Sequence, residues 1–407
     1  MAAQSDEERS PATGVRGEPV PSLAGFTVGI TAARRTEELA TMLERRGAVI
    51  QQGAALRIVA LADDADLETT TRALIAEPPD IAVATTGIGY RGWMEAADGW
   101  GLGEALLTAL GSCEMLARGP KARGAIRASG LVDAWSPESE STAEVLEHLL
   151  ERGVEGCRIA VQLHGEPLPD VVEALEMAGA QVVTVPVYRW APPLDIAPLD
   201  RLIASTLSGG IDMLAFTSAP AAAGLLARAG ELGVHDDLVA ALRGPVLALC
   251  VGPVTAAPLE ALDVPTLQPQ RSRLGAMVRT LESAAPTRAR RLPVASHELE
   301  LRGHAVLVDG VLRPVPPTPM ALLRVLAKRP GRVVPRSELL AAQPGGAADE
   351  HAVENAIARL RAALGEPGLV QTVVRRGYRL ALEPGTGATG LGGHCTTENR
   401  TDEGGRR

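Results

Sequence analysis

The sequence lacks the segments that would place a protein in or across a membrane. No stretch approaches about 18 consecutive apolar residues, and the amino terminus has no basic run followed by an apolar segment. The four cysteines are far apart and never form a CxxC pair, so neither a zinc site nor a disulfide framework is indicated. We therefore expect a soluble, cytoplasmic protein with buried or inert thiols, no metal ion and no membrane partner.

Length and charge predict several domains of different character. At roughly 150 residues per domain, the 407 residues predict two or three domains. Residues 1–286 contain 22 Lys/Arg and 37 Asp/Glu, whereas residues 287–380 contain 15 basic and 8 acidic residues. An acidic body is thus joined to a compact basic module. This division indicates that the second part alone meets a polyanion such as DNA, although charge does not say which polyanion.

The acidic body matches itself at an offset of about 132 residues. The segment VGITAARRTEEL, from Val28, aligns with IAVQLHGEPLPD, from Ile159, and PDIAVATTGIGY aligns with IDMLAFTSAPAA. Each copy alternates a short apolar run, a Gly- or Thr-bearing turn and an amphipathic helix, which is typical of βαβ units. Two copies predict an α/β fold with two similar parallel-sheet lobes and a cleft between them.

A ligand is expected where the strands meet the helices that follow them. In open parallel sheets the binding crevice lies beyond the carboxyl ends of the strands. Helix starts at that edge offer free backbone N–H groups to carboxylates or phosphates. The alternative is that Ser and Thr in these turns only cap the helices. The turns are Thr31–Arg35, Thr85–Gly89, Gly119–Ala122, His164–Pro167, Thr217–Ala219 and Gly252–Thr255.

Basic residues in or near these turns could offset the acidic charge of the body and contact an anion. Solvation at the surface is the commoner role of such residues. They are Arg34, Arg35, Arg91, Arg118, Lys121, Arg123 and Arg189.

The order of the turns resembles the uroporphyrinogen-III synthase family over about residues 24–286. The resemblance implies a bilobal fold, with residues 24–57 and 191–286 in lobe 1 and residues 58–190 in lobe 2. It also implies cofactor-free cyclisation of the linear tetrapyrrole hydroxymethylbilane to uroporphyrinogen III, with loss of water and inversion of the last pyrrole ring. We expect residues 1–23 to be disordered. The family's strand ends and turns stand here as Thr31 with Arg34 and Arg35, Thr85-Thr86, Thr217-Ser218, Gly119-Pro120, Gly252-Pro253-Val254-Thr255 and Val187-Tyr188.

The resemblance also implies site residues. Tyr188 is the first catalytic candidate, which would assist departure of the hydroxyl group by hydrogen-bond donation. Thr255 is the second catalytic candidate. A strand tyrosine equally has a structural interpretation. The first GPxT-like turn carries Ala122 where the second copy has Thr255, which permits a domain that binds without turnover. The residues expected to bind substrate are Thr31, Arg34, Arg35, Thr85, Thr86, Gly119, His164, Gly165, Thr217, Ser218 and Gly252.

The basic module has the pattern of a small domain that follows a linker at residues 287–295. LELRGHAVLVDGVLRPV alternates apolar and polar residues around Asp309-Gly310, which predicts a hairpin. Thr318 as N-cap and Pro319 at the first helical position predict the start of a helix, and Gly331 follows its end.

The rest of the module predicts two more helices and a strand pair. A short helix begins at Ser337, a longer one spans Asp349–Leu364, and TVVRRGYRL turns near Arg375–Gly377. In the longer helix one face is apolar and another is polar. The apolar face consists of Val353, Ile357, Leu360 and Leu364.

These elements resemble the winged-helix domain of OmpR/PhoB-type response regulators over residues 296–382. The resemblance implies double-stranded DNA as the partner, with Arg359 toward bases and Arg361 toward phosphate. Residues 383–407 are expected to be a disordered tail. The predicted DNA-binding residues are His351, Asn355, Arg359, Arg361, Arg375, Arg376 and Arg379.

Three hypotheses follow for the whole chain. In the first, a synthase-like enzyme controls or accompanies a DNA-binding regulator, and Tyr188 and Thr255 favour this hypothesis. In the second, the cleft senses a tetrapyrrole or another polycarboxylate without turnover, which Ala122 favours. In the third, the basic module only tethers an enzyme to nucleic acid. No feature of the sequence indicates an oligomeric state.

Overall fold

The computed structural model describes residues 20–61, 65–138, 140–165, 167–343 and 350–382. The predictions of disorder for the amino-terminal segment and the tail lie outside the described residues, except for residues 20–23. Among the described residues, no helix is long and apolar enough to cross a membrane.

The acidic body alternates strands and helices from its first strand onward. Its first half contains β1 (Thr27–Ile30), α1 (Thr36–Glu44), β2 (Val49–Gln52), β3 (Arg57–Ala60), α2 (Ala65–Ala76), β4 (Ile81–Ala84), α3 (Gly87–Gly99), α4 (Gly103–Gly111), β5 (Glu114–Ala117), α5 (Pro120–Ala128) and β6 (Asp133–Trp135). Its second half contains α6 (Thr142–Arg152), β7 (Arg158–Gln162), α7 (Pro169–Met177), β8 (Gln181–Val185), β9 (Tyr188–Ala191), α8 (Ala197–Leu207), β10 (Met213–Phe216), α9 (Ala219–Glu231), α10 (His235–Arg243), β11 (Leu247–Cys250), α11 (Pro253–Glu260), β12 (Thr266–Leu267) and α12 (Leu274–Arg288).

Two five-stranded parallel sheets share one strand order. The sheet of lobe 1 runs β12-β11-β10-β1-β2, and the sheet of lobe 2 runs β6-β5-β4-β7-β8. Under the offset of about 132 residues, each strand of one sheet corresponds to the strand at the same position in the other. Strands such as β4 (IAVA) and β10 (MLAF) are buried along their whole length, because helices cover both faces of a parallel sheet. The predicted α/β bilobal fold is confirmed.

The chain passes between the lobes along one antiparallel pair of strands. β3 leads out of lobe 1 and β9 leads back, with Arg57 opposite Ala191 and Ala60 opposite Tyr188. The cleft between the lobes opens beside this pair, which makes both connections of the chain between the lobes.

In its described residues, the C-terminal domain contains an antiparallel sheet, three α-helices and a hairpin. Its elements are β13 (Arg290–Val294), β14 (His297–Leu301), β15 (Ala305–Val308), β16 (Val311–Pro314), α13 (Pro317–Lys328), α14 (Arg336–Ala341), α15 (Glu350–Leu364), a 3-10 turn (Pro367–Leu369), β17 (Val370–Val373) and β18 (Gly377–Leu380). The four sheet strands pair in chain order, and the β15–β16 turn has positive φ at both Asp309 and Gly310, as the predicted two-residue hairpin requires. The winged-helix architecture is confirmed.

Two local predictions in this domain were wrong. The linker at residues 287–295 is instead the end of α12 and the strand β13, because Leu292 and Val294 are buried and pair with β14. The first helix begins at Pro317, so Thr318 is not its N-cap. The fixed φ of proline suits the first helical position, and proline has no N–H that a cap would have to satisfy.

The C-terminal domain packs against the amino ends of lobe 1 strands. The Arg302 Nη1 donates to the Ala24 carbonyl at 2.6 Å, and the His304 backbone N–H donates to the Gly25 carbonyl at 2.8 Å, both just before β1. Arg324 donates to the Gly209 carbonyl at 3.1 Å, before β10. The candidate ligand turns lie at the opposite, carboxyl ends of the same strands.

Candidate functional site

A cleft of about 590 Å³ opens where the two lobes meet β3. Pockets of roughly 300–1,000 Å³ are typical of small-molecule sites. Lobe 1 contributes Ala33, Arg34 and Leu56 to its wall, β3 contributes Ile58, and lobe 2 contributes Ile88. The wall is mostly apolar, with the exposed Arg34 guanidinium as a positive group at its edge.

Tyr188 lies at the start of β9, beside the carboxyl edge of the lobe 2 sheet. It is 7% exposed and packs edge-on against Trp190, with ring centroids 5.5 Å apart. Burial raises the pKa of Tyr188 above its ordinary value, although a hydrogen bond with Thr86 and the charges of Arg118 and Arg34 act in the opposite direction. The phenol is therefore protonated at neutral pH and is able to donate a hydrogen bond.

Arg118 and His164 follow β5 and β7, the strands on either side of β4. The Arg118 backbone N–H donates to the Ala84 carbonyl at 3.0 Å, which anchors the residue at the end of β4. Burial lowers the pKa of His164 to about 4, and the nearby charge of Arg118 contributes to the shift. The imidazole is therefore neutral at pH 7, so the guanidinium is the cation of this pair.

The indole nitrogen of Trp190 packs against Gly165, the residue after His164. Gly165 has a φ of +97°, and a Cβ there would lie 2.2 Å from the Trp190 Nε1, so only glycine permits the contact. Both the Trp190 Nε1 and the His164 Nδ1 are buried without a hydrogen-bond partner in the described part of the chain. Gly165 and His164 were predicted from sequence, whereas Trp190 was missed, since a tryptophan in a strand carries no signal of its own.

The hydroxyls of Thr31 and Thr85 form hydrogen bonds within the two sheets. Thr31 is 0% exposed and donates to the Ala215 carbonyl at 3.1 Å. Thr85 is 2% exposed and donates to the Gln162 carbonyl at 2.8 Å. Each bond joins neighbouring strands, so these side chains, expected to bind substrate, leave only backbone groups for a ligand.

Thr86 differs from Thr85 because it caps a helix that faces the site. Its hydroxyl accepts from the Gly89 backbone N–H at 3.2 Å, and the Gln162 Nε2 donates to it at 3.0 Å. Sequence reasoning missed Gln162, which is buried inside the strand β7.

The two GP turns occupy equivalent places in the two lobes. Gly119 and Gly252 each precede the proline that starts a helix, α5 or α11. A Cβ at Gly119 would lie 3.2 Å from the Glu140 Cγ, and one at Gly252 would lie 2.4 Å from the Ser272 Oγ. Thr255, one turn into α11, is buried. Glycine therefore lets a neighbouring side chain approach each helix start.

The remaining cleft candidates lie in lobe 1. Arg35 forms a bidentate ion pair with Glu38, at 2.6 Å from both carboxylate oxygens, so its guanidinium is already engaged. Thr217 and Ser218 are partly exposed after β10, and Ser218 is the N-cap of α9 without a side-chain capping bond. These hydroxyls lie at the start of α9, where a helix dipole favours an anion.

The polar face of α15 is exposed as predicted. Val353, Ile357 and Leu360 are buried in the domain core, whereas Asn355 and Arg359 lie outside it, with Arg359 exposed. His351 is also exposed, and it lies near Glu354.

Arg361, which is expected to meet a phosphate, also forms hydrogen bonds within the domain. Its Nη2 donates to the Val370 carbonyl at 2.7 Å and to the Thr372 Oγ1 at 2.8 Å, so it ties α15 to the hairpin of β17 and β18. In that hairpin Arg375 and Arg376 are exposed at the turn. Arg379 is also exposed and donates to the Gln371 Oε1 at 3.0 Å.

Comparison with known proteins agrees with both parts of the fold. Residues 37–279 match the family model described as uroporphyrinogen-III synthase HemD, and residues 314–380 match the one described as transcriptional regulatory protein, C terminal. A Bacillus subtilis protein described as uncharacterized protein YjjA is 29% identical over 257 residues, which cover 63% of this chain and 94% of that protein.

Two further similar proteins are described as uroporphyrinogen-III synthases. A putative uroporphyrinogen-III synthase of Methanothermobacter thermautotrophicus is 27% identical over 169 residues, 42% of this chain and 66% of that protein. A mutant uroporphyrinogen III synthase of Thermus thermophilus is 29% identical, covers 64% of this chain and 98% of that chain, and has a TM-score of 0.53. The chain belongs to the uroporphyrinogen-III synthase HemD family, and its C-terminal domain in addition matches the family model of the C-terminal domain of transcriptional regulatory proteins.

Proposed function

We propose that this chain cyclises hydroxymethylbilane to uroporphyrinogen III, with loss of water and inversion of the last pyrrole ring, and binds double-stranded DNA through its C-terminal domain. The observation that carries the catalytic half is the buried Tyr188, a protonated phenol beside the positive charge of Arg118. As the hydroxyl group of the substrate departs, this phenol donates a hydrogen bond to the leaving oxygen.

The carboxylates of the substrate are held by groups around the cleft. The helix starts of α3 and α9, after Thr86 and Ser218, direct backbone N–H groups to the carboxyl edges of the sheets. Arg34 adds a positive charge at the cleft wall. These local groups offset the acidic charge of the body, because charge at the site governs binding more than the distant total does.

The structure weakens the argument for a binding-only domain. That argument depends on Ala122, which stands where the second copy has Thr255. Both residues are buried at equivalent places in α5 and α11. The exchange changes one side chain and leaves the backbone start of α5 in place, so the departure from the family pattern is compatible with turnover.

The full chain incubated with hydroxymethylbilane tests the catalytic proposal. We expect the type III isomer to form faster than spontaneous closure to the type I isomer, and Tyr188→Phe to slow it by about a hundredfold or more. The matched control is Tyr90→Phe, a buried tyrosine of the same lobe whose hydroxyl lies 2.8 Å from the Ser129 Oγ. Type I product alone from the wild type, or equal rates for the wild type and Tyr188→Phe, would remove the catalytic proposal.

Gel shifts on promoter fragments at several salt concentrations test the DNA half. The exposed Arg359 of α15 is the proposed base contact, so Arg359→Ala is expected to weaken specific binding by about 1–3 kcal/mol. Arg72→Ala is the control, because Arg72 is paired with Glu68 on lobe 2. Equal affinity for promoter and random DNA would leave only a non-specific tether.

We further propose that a ligand in the cleft biases DNA binding. The C-terminal domain is hydrogen-bonded to lobe 1, and lobe 2 is connected to lobe 1 through β3 and β9. We therefore expect a movement of lobe 2 onto a ligand to reach the C-terminal domain through lobe 1. DNA affinity measured with and without saturating uroporphyrinogen III tests this coupling, and an unchanged affinity excludes it.

A further inference from the structure

Three buried polar atoms without partners in the described part of the chain belong to residues at, or packed beside, the carboxyl end of β7 in lobe 2. They are the Gln162 Oε1 and the His164 Nδ1, at the end of β7, and the Trp190 Nε1, which contacts Gly165. A buried polar group left unpaired costs about 1–3 kcal/mol, so folded proteins seldom keep several in one place. Their grouping at the carboxyl edge of a parallel sheet indicates a ligand-binding position.

The same place contains a cation, Arg118, that has no close counterion among the residues the structure describes. Among the described residues, no acidic side chain forms an ion pair with Arg118, and its guanidinium makes a long hydrogen bond, 3.5 Å from Nη1 to the Thr142 Oγ1. Of the described acidic residues, Glu140 acts on the charge of Arg118, and it lies against Gly119. Arg118 is half-buried, and this burial lowers the pKa of its guanidinium. A partly buried cation of this kind is stabilised by an anion.

The neighbouring groups favour a carboxylate as that anion. The Trp190 indole N–H is a donor only, and the neutral imidazole of His164 is able to donate from Nδ1. Together with the guanidinium fork they offer planar N–H donors and a single positive charge, which suits a planar monoanion. A phosphate dianion would need a second charge, which His164, with a pKa of about 4, does not supply at neutral pH.

We propose that Arg118, His164 and Trp190 form a carboxylate subsite that holds one carboxylate of the ligand next to Tyr188. The identification of that ligand as a tetrapyrrole polycarboxylate rests on the proposed function, whereas the subsite itself takes any small carboxylate. The position of the subsite has a consequence for the reaction. A substrate carboxylate held there orients the pyrrole ring that bears it toward the phenol of Tyr188.

Nuclear magnetic resonance of the full chain with sodium acetate as the probe tests the subsite. The chain has four tryptophans, so the Trp190 indole N–H signal is assigned by its loss in Trp190→Phe. We expect acetate, at constant ionic strength, to shift this signal saturably, while sodium chloride does not and the other three indole signals stay in place. Arg118→Gln is expected to weaken acetate binding at least about tenfold, and Arg118→Lys less, since lysine keeps the charge but loses the fork.

Arg72→Gln is the matched control, because it removes an arginine elsewhere in lobe 2 and should leave acetate binding unchanged. If Arg118→Gln does not fold, the test is the acetate affinity of Arg118→Lys, which is expected to be lower than that of the wild type. A shift that never saturates, or one of equal strength in the Arg118 variants, overturns the subsite.

The subsite and the proposed function fail in different ways. Acetate binding at Trp190 in a chain that makes no type III isomer leaves the subsite standing and removes the proposed function. Formation of the type III isomer without any response of the Trp190 signal to acetate removes the subsite and leaves the proposed function standing.

Discussion

The junction between lobe 1 and the C-terminal domain depends on one buried arginine. The side chain of Arg302 is 6% exposed, its Nη1 donates to the Ala24 carbonyl at 2.6 Å, and its Nε donates to Glu300 at 2.8 Å. The guanidinium also lies over the Phe26 ring, 5.3 Å from the centroid. Arg302→Ala removes all three contacts at once and leaves a carbonyl and a carboxylate oxygen without their partner.

The loss of unfolding free energy in Arg302→Ala depends on the buried groups that lose their partner. Removal of one partner from a buried ion pair costs about 3–5 kcal/mol, because the other charge is left buried. Here Arg291 still contacts the second Glu300 oxygen at 3.1 Å, so the lower end applies. We expect Arg302→Ala to lower the free energy of unfolding by about 3 kcal/mol. Arg291→Ala should cost less than about 1 kcal/mol, since the Arg291 side chain is mostly exposed.

Urea denaturation followed by far-UV circular dichroism measures both variants beside the wild type. A second readout is limited proteolysis, which should cut Arg302→Ala faster near residues 288–290, where α12 meets β13. If Arg302→Ala and Arg291→Ala cost the same, or if Arg302→Ala costs less than about 1 kcal/mol, the junction is not held by this buried contact.

Two further predictions concern the same domain and its junction. Asp212 accepts from the Thr27 backbone N–H at 2.7 Å, and burial raises its pKa to about 6. Because this folded-state pKa exceeds the ordinary value of 3.8, Asp212 contributes stability that is present below pH 4 and lost as the pH rises to about 6. The difference in unfolding free energy between the wild type and Asp212→Asn should therefore change over that window in urea titrations, with the wild type losing stability relative to the variant, and a constant difference contradicts the reasoning. Gly377→Ala should cost more than about 2 kcal/mol, because φ is +129° and a Cβ would clash with the Val334 carbonyl; Gly310→Ala, with open space around it, should cost about 1 kcal/mol, and equal costs would refute the clash.

The sequence predicted most of the secondary structure because local periodicity carries that information. The buried runs of β4 and β10, and the buried Leu39 and Leu43 of α1, are visible as apolar spacing. The internal offset predicted two lobes, and their equal strand order follows from it. β13 escaped notice because RRLPV has only two core residues and a proline, which an edge strand tolerates.

The candidate site was less predictable, because it joins residues that are distant in the chain. Sequence marked Arg118 as one basic residue among several and did not mark Trp190, which lies far along the chain from it. Strand order brings β5 and β7 to either side of β4 and returns the chain through β9, and only then do these side chains meet.

By itself, the sequence determined the periodic elements, the duplicated architecture, the acidic and basic halves and the polar face of α15, since each of these is set by neighbours in the chain. The tertiary structure alone decided which polar groups form hydrogen bonds within the protein and which do not. Thr31 and Thr85 donate to carbonyls of neighbouring strands, and Arg361 donates to the Val370 carbonyl. Trp190 and His164 each keep a nitrogen without a partner within the described part of the chain. Hydrogen bonding depends on contact in space, and spacing along one chain does not encode it.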